Sequence, residues 1–114
     1  MKELKQKFLI IKLSSIGDIV HALPFLRTLR TNYPKAYIAW MIEERFQDLI
    51  KFNSDLDEVI PVRIKHWRKN LSLKSWNEIN LIKNLLKDRK FDWTFDLQGL
   101  IKTGFIARMT GAPN

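Results

Sequence analysis

Phe8-Leu9-Ile10-Ile11-Lys12-Leu13-Ser14-Ser15-Ile16-Gly17-Asp18-Ile19-Val20-His21 changes character twice within its length. Phe8 to Ile11 are all apolar and two of them are β-branched, which is how a strand buried on both faces of a parallel sheet reads. A small, polar turn, Ser14-Ser15-Ile16-Gly17-Asp18, follows almost at once. Beyond it Ile19, Val20, Leu23, Leu26 and Leu29 return at helical spacings of three and four. Strand, short loop and helix make the opening half of a βαβ unit. In an open α/β sheet ligands bind beyond the carboxyl ends of the strands, where this loop sits with a carboxylate and two hydroxyls.

The loop matches no phosphate signature. One glycine cannot supply G-x-G-x-x-G, the G-x-x-x-x-G-K-[ST] pattern is absent, and Asp18 would repel a phosphate at the helix start. Two readings of Asp18 stay open on spacing alone. It is either an N-cap, accepting hydrogen bonds from first-turn N–H groups, or a catalytic base. Ser14 and Ser15 are turn formers or ligands on the same footing.

Outward from this stretch, Asn32-Tyr33-Pro34 breaks the first helix. Tyr37 to Ile42 is a second apolar strand. Residues 43–50 read as a short helix with an acidic first turn, Glu43-Glu44, and with Phe46, Leu49 and Ile50 turned inward. Glu58-Val59-Ile60-Pro61-Val62 is a third strand, and Pro61 places it at an end or an edge. A helix is expected over residues 75–88, with Trp76, Ile79, Ile82, Leu85 and Leu86 on its inner face. Residues 92–97 make a fourth strand, Gln98-Gly99 a turn, and Leu100 to Met109 a last helix. This alternation predicts an α/β fold, a Rossmann-like parallel sheet with helices on both faces. The chain stops at Thr110-Gly111-Ala112-Pro113-Asn114, where a further strand is expected, so residues 1–114 read as one incomplete domain.

With 114 residues, 46% of them hydrophobic, seven Phe and four Trp, the chain has material for one modest core and is not disordered. No apolar run reaches the ~18 residues of a spanning helix. Phe8 to Ile11 is too short for a signal sequence. The absence of cysteine removes disulfides, thiolate metal sites and Cys nucleophiles, and the chain reads as cytoplasmic. No His, Asp and Glu spacing suggests a metal.

A net charge of +8 points to an anionic partner. Residues 63–74 hold Arg63, Lys65, Arg68, Lys69, Lys74 and His66 and no acid. Nucleic acid, an anionic membrane surface or a phosphorylated glycolipid would all be drawn to them. Residues 63–70 should form an exposed, mobile loop or the start of a helix, because burying these cations without acids is prohibitive. His21 should be packed or hydrogen-bonded. Asp96-Leu97-Gln98-Gly99-Leu100-Ile101-Lys102 is either a strand-end cap or a polar cluster lining the same cleft as Asp18.

Three separated stretches are familiar together: Lys12 to Pro24, then Val59-Ile60-Pro61-Val62 with Lys65-His66-Trp67-Arg68-Lys69, then Phe95 to Lys102. In this order they resemble the ADP-heptose glycosyltransferases of family 9. The Trp67-Arg68-Lys69 segment favours the branch that adds the first heptose over its second-heptose relative. The resemblance implies a GT-B architecture of two Rossmann-like domains, the N-terminal one for the acceptor and the C-terminal one for ADP-heptose. This chain would be most of the first and none of the second. The implied reaction moves heptose, with inversion, from ADP-L-glycero-D-manno-heptose to the Kdo of Kdo-lipid A in lipopolysaccharide inner-core synthesis. It needs no metal or cofactor and runs on the cytoplasmic face of the anionic inner membrane.

By the same resemblance Asp18 is the base, and Ser14, Ser15 and Gly17 shape the loop at the reacting centre. Lys65, His66, Arg68 and Lys69 hold acceptor phosphates or Kdo carboxylates, and Gln98 and Lys102 line the cleft. His66 stands where the family commonly has Arg, a departure expected to weaken one phosphate contact. The rival reading is a basic Rossmann-like anion- or nucleic-acid-binding module without catalysis, with Trp67 as its stacking aromatic. Another is a truncated, inactive product. The family resemblance implies no nucleic acid.

Overall fold

A computed structural model describes residues 5–98. Strand β1 (Lys7–Ile11) leads into helix α1 (Ile16–Asn32), then β2 (Tyr37–Glu43), a 3-10 helix (Glu44–Leu49) and β3 (Glu58–Val62). Helices α2 (Ile64–Lys69) and α3 (Leu73–Arg89) follow, and β4 (Trp93–Asp96) ends the series. All pairings are parallel, in the order β3-β2-β1-β4. The chain steps outward from β1 to β3, then crosses over to lay β4 on the other side of β1. Strand order therefore reverses between β1 and β4, where such sheets open a crevice.

The apolar runs are explained by two cores, one on each face of the sheet. Leu9, Ile11, Met41, Ile60 and Val62 pack with Ile64 and Trp67 of α2 and Leu86 of α3. Phe8, Ile10, Ile38, Trp40 and Ile42 pack with Ile19, Leu26 and Leu29 of α1. A strand covered on both faces has no polar side to show. Pro61 is accommodated because β3 is the outermost strand of the described sheet on its side.

Ion pairs staple the amino edge. Arg89 grips Glu58 through Nε and Nη2, both at 2.9 Å, and Tyr37 donates its hydroxyl to the same carboxylate. Arg30 reaches Asp57 at 2.7 Å and the Ala36 carbonyl at 2.8 Å, ending α1 against β3. These charges hold the fold and lie at the end of the sheet away from the crevice.

Several expectations need correction. Residues 44–49 form a 3-10 helix, and Glu43 is the last residue of β2, where its carboxylate accepts the Ile64 N–H at 3.0 Å. With three residues per turn Gln47 lies under Ile50, so burying Ile50 turns Leu49 outward. Helix α3 starts at Leu73, and Trp76 is 56% exposed rather than inward. Ser72 caps α3 by accepting the Ser75 N–H at 3.2 Å, and the Ser75 hydroxyl donates to the Asn70 carbonyl. That pair fixes the rotation with Ser75 inward and Trp76 out. Residues 64–69 are helical, the second of the two forms expected, and their cations are exposed as expected. His21 is exposed rather than packed. The expected helix Leu100 to Met109, with Gly99 and Lys102, lies outside the described residues.

Candidate active site

The chain leaving β1 enters the crevice on a floor with few free backbone groups. The Lys12 N–H donates to the Met41 carbonyl at 3.2 Å, and the Lys12 carbonyl accepts the Trp40 indole N–H at 3.0 Å. The Leu13 N–H donates to Gln98 Oε1 at 3.0 Å, and the Leu13 carbonyl accepts the Glu43 N–H at 3.2 Å. Ser14 adds a longer bond to the same Gln98 oxygen, 3.4 Å. Lys12 Nζ spans to the Leu97 carbonyl at 3.3 Å, tying β1 to β4. Each backbone group of Lys12 and Leu13 thus has a partner, as buried main chain requires. Gln98 is itself aimed by its N–H bond to Asp96 Oδ1, 3.1 Å.

From that floor the loop rises into α1, with Ser14 and Ser15 joined by a cis peptide bond. Ser15, not Asp18, is the N-cap. Its backbone is extended (φ −94°, ψ −171°), while Ile16 is already helical. Asp18 falls at the third helical position and reaches back to accept the Ser15 N–H at 3.4 Å, a single long bond at an exposed site. Its carboxylate sits in the first turn, where the helix dipole favours negative charge. A Cβ built on Gly17 meets nothing within 4 Å, so the chain's own packing does not demand glycine there.

Helix α2 begins two residues beyond the end of β3, on the same edge of the sheet. β3 is two strands from β1, roughly 10 Å away. Ile64 and Trp67, three apart, are buried, which turns Lys65, His66, Arg68 and Lys69 to solvent. Lys65, Arg68 and Lys69 line a depression of about 260 Å³. The Trp67 indole N–H donates to Glu78 Oε1 at 2.7 Å, and Arg63 holds the other Glu78 oxygen at 3.2 Å. The Trp67 bond foremost, with the charges of Arg63, Lys74 and His66, holds the Glu78 carboxyl below its ordinary value against desolvation. Trp67 is therefore a core residue, and the stacking platform expected of it for nucleic acid is not there.

The crevice thus gathers Ser14, Ser15, Gly17, Asp18 and Gln98, while Lys65, His66, Arg68 and Lys69 form a second group along the same edge. Lys102 is outside the described residues. Sequence reasoning missed Trp40 and Glu43, which hold the floor. The available signal for Trp40 was an indole N–H in an otherwise apolar strand, which needs a partner when buried, whereas Glu43 acts on the floor through its main-chain N–H, for which the sequence carries no signal. Among the described residues no His, Asp and Glu cluster could hold a metal, and no helix is long and apolar enough to cross a membrane.

No family model matches the chain. Over 106 residues it is 36% identical to lipopolysaccharide heptosyltransferase 1 of Pseudomonas aeruginosa, covering 92% of this chain and 30% of that protein. Among solved structures, E. coli heptosyltransferase WaaC with ADP-2-deoxy-2-fluoro heptose matches with a TM-score of 0.84 and 32% identity, over 91% of this chain and 34% of that one. The glycosyl transferase family 9 structure from Veillonella parvula matches with a TM-score of 0.81 and 26% identity, over 98% and 32%. The chain spans 30 to 34% of the length of these proteins, and its kinship in sequence and fold is with the lipopolysaccharide heptosyltransferases.

Proposed function

We propose that this chain is the acceptor-binding, base-bearing part of an inverting heptosyltransferase that moves heptose from ADP-L-glycero-D-manno-heptose to the Kdo of Kdo-lipid A. One observation carries the reading. Where strand order reverses, a loop locked by Gln98, Trp40 and Glu43 presents an exposed carboxylate, Asp18, on the same sheet edge as the outward cations of α2.

In this reading the Asp18 carboxylate takes the proton of the acceptor hydroxyl as its oxygen attacks the anomeric carbon. The new C–O bond forms on the face opposite ADP, the bond to the ADP oxygen breaks, and the configuration inverts. ADP leaves with its negative charge, to be held by a nucleotide-binding domain outside the matched region. Ser14, Ser15 and Gly17 shape the reacting centre. Lys65, Arg68 and Lys69 bind acceptor phosphate or Kdo carboxylate as charge-assisted donors, with His66 beside them on the same exposed face. Gln98 acts chiefly by positioning, since its oxygen is engaged by the loop. The acceptor is a membrane glycolipid, so the site works at the cytoplasmic face of the inner membrane.

A chimera tests this. The chain replaces the segment it matches in the E. coli heptosyltransferase, and heptose transfer to Kdo-lipid A is measured. Transfer supports the proposal. A folded chimera that binds ADP-heptose but never transfers to Kdo-lipid A overturns it.

A further inference from the structure

The connection from α2 to α3 shows a feature that the acceptor site does not use. Leu71 is 75% exposed, Leu73 78% and Trp76 56%. Isolated exposed apolar residues are ordinary, but three within six positions form a patch. Leu73 and Trp76, three apart on α3, share its outer face, opposite Ser75, Ile79, Ile82 and Leu86. Beside them in sequence are Lys65, Arg68, Lys69 and Lys74, all exposed, and no acid lies between Arg63 and Asn77. The nearest carboxylate in sequence, Glu78, is engaged by Trp67 and Arg63.

We infer that this patch is a membrane-docking surface, with Leu71, Leu73 and Trp76 entering the interface of an anionic bilayer and the flanking cations resting on its headgroups. The charge pattern selects that occupant. A second copy of the chain would bring like charges together. Nucleic acid would satisfy the cations but leave two leucines wet. A bilayer interface takes both: apolar area adds to the attraction of lysine and arginine for anionic lipid, and tryptophan suits the headgroup boundary. The inference deepens the glycolipid-acceptor reading and rests on it for which membrane is meant.

The test uses this chain with vesicles free of Kdo-lipid A, so that docking and acceptor recognition fail separately. Binding is followed by co-sedimentation with phosphatidylcholine vesicles and with vesicles that also contain phosphatidylglycerol. The chain should bind the second kind, weaken as salt is raised, and show a blue shift in tryptophan emission that Trp76→Phe abolishes. The double variant Leu71→Ser/Leu73→Ser keeps every cation and alters only exposed side chains. It should retain the circular dichroism of the parent and lose roughly tenfold or more in vesicle binding. Equal binding to both vesicle types, or a double variant that binds like the parent, overturns the inference. So does a single-stranded oligonucleotide that binds more tightly than the anionic vesicles and ignores the leucine changes.

Discussion

Gly17 occupies the second helical position of α1, where glycine gains nothing over alanine in helix propensity, yet no steric conflict among the described residues requires it. In the proposed reading that open space admits the acceptor. Gly17→Ala should leave stability unchanged or raise it by about 0.5–1 kcal/mol in urea unfolding, while transfer by the chimera falls about tenfold or more through a displaced acceptor. Full turnover by the alanine variant would show that the space is unused. Asp18 illustrates what a residue's neighbours in sequence can and cannot tell. Its place on the crevice loop follows from the apolar run before it and the helical spacing after it. Its position within the helix does not, because the extended backbone of Ser15 moves the cap three residues upstream.

Helix α2 divides its labour by periodicity. Ile64 and Trp67 anchor it, and Lys65, His66, Arg68 and Lys69 face out. Replacing Arg68 and Lys69 by alanine in the chimera should raise the KM for Kdo-lipid A by about tenfold, the size of a charge-assisted hydrogen bond, and leave that for ADP-heptose nearly unchanged. Parallel rises in both constants would mean a structural role. Trp67→Phe keeps an aromatic ring in the core but drops the indole donor to Glu78 and some buried volume. It should cost about 1–2 kcal/mol in chemical unfolding, since Glu78 keeps Arg63. No loss would show that this bond is replaced by water at no cost. The acid-free charge run was legible as an exposed segment. Trp67 was not legible as its anchor, because its partner lies eleven residues away on another helix. Trp76 was misread for a related reason. Helical spacing admits either rotation, and the Ser72 to Ser75 capping bond chooses between them.

At the scale of the whole molecule the sheet keeps its stabilising charges at the amino edge, away from the carboxyl edge where the proposed site lies. Burial pushes the Glu58 carboxyl up, but hydrogen bonds from Arg89 and Tyr37 and the Arg89 charge outweigh it, and the net shift is below the ordinary 4.5. A depressed carboxylate contributes stability that is present above its unfolded value and is lost as pH falls through its folded value. Glu58→Gln should therefore destabilise the chain at neutral pH by about 1–3 kcal/mol. Its deficit against the parent should close as pH is lowered beneath 4.5. A deficit independent of pH would mean that the pair acts through shape rather than charge. Strand count, parallel sense and two-sided helical cover were all legible, because fully apolar runs alternating with helical stripes admit few other architectures. That β4 flanks the crevice was only half legible, since lining the Asp18 cleft was one of two readings of Asp96 to Lys102. The crossover that sets β4 beside β1, and with it Gln98 beneath the Ser14 loop, is a tertiary choice with no local signature.

Asp18→Asn in the chimera measures the proposed role of the Asp18 carboxylate as the base. Asparagine keeps an oxygen for the Ser15 N–H and forfeits only the charge at the helix start, about 0.3–1 kcal/mol. Loss of a general base costs ~10²–10⁴-fold. Urea unfolding should barely move while kcat for heptose transfer falls by that factor. A variant that unfolds like the parent and turns over at a near-normal rate would leave Asp18 a helix-capping residue and contradict the mechanism.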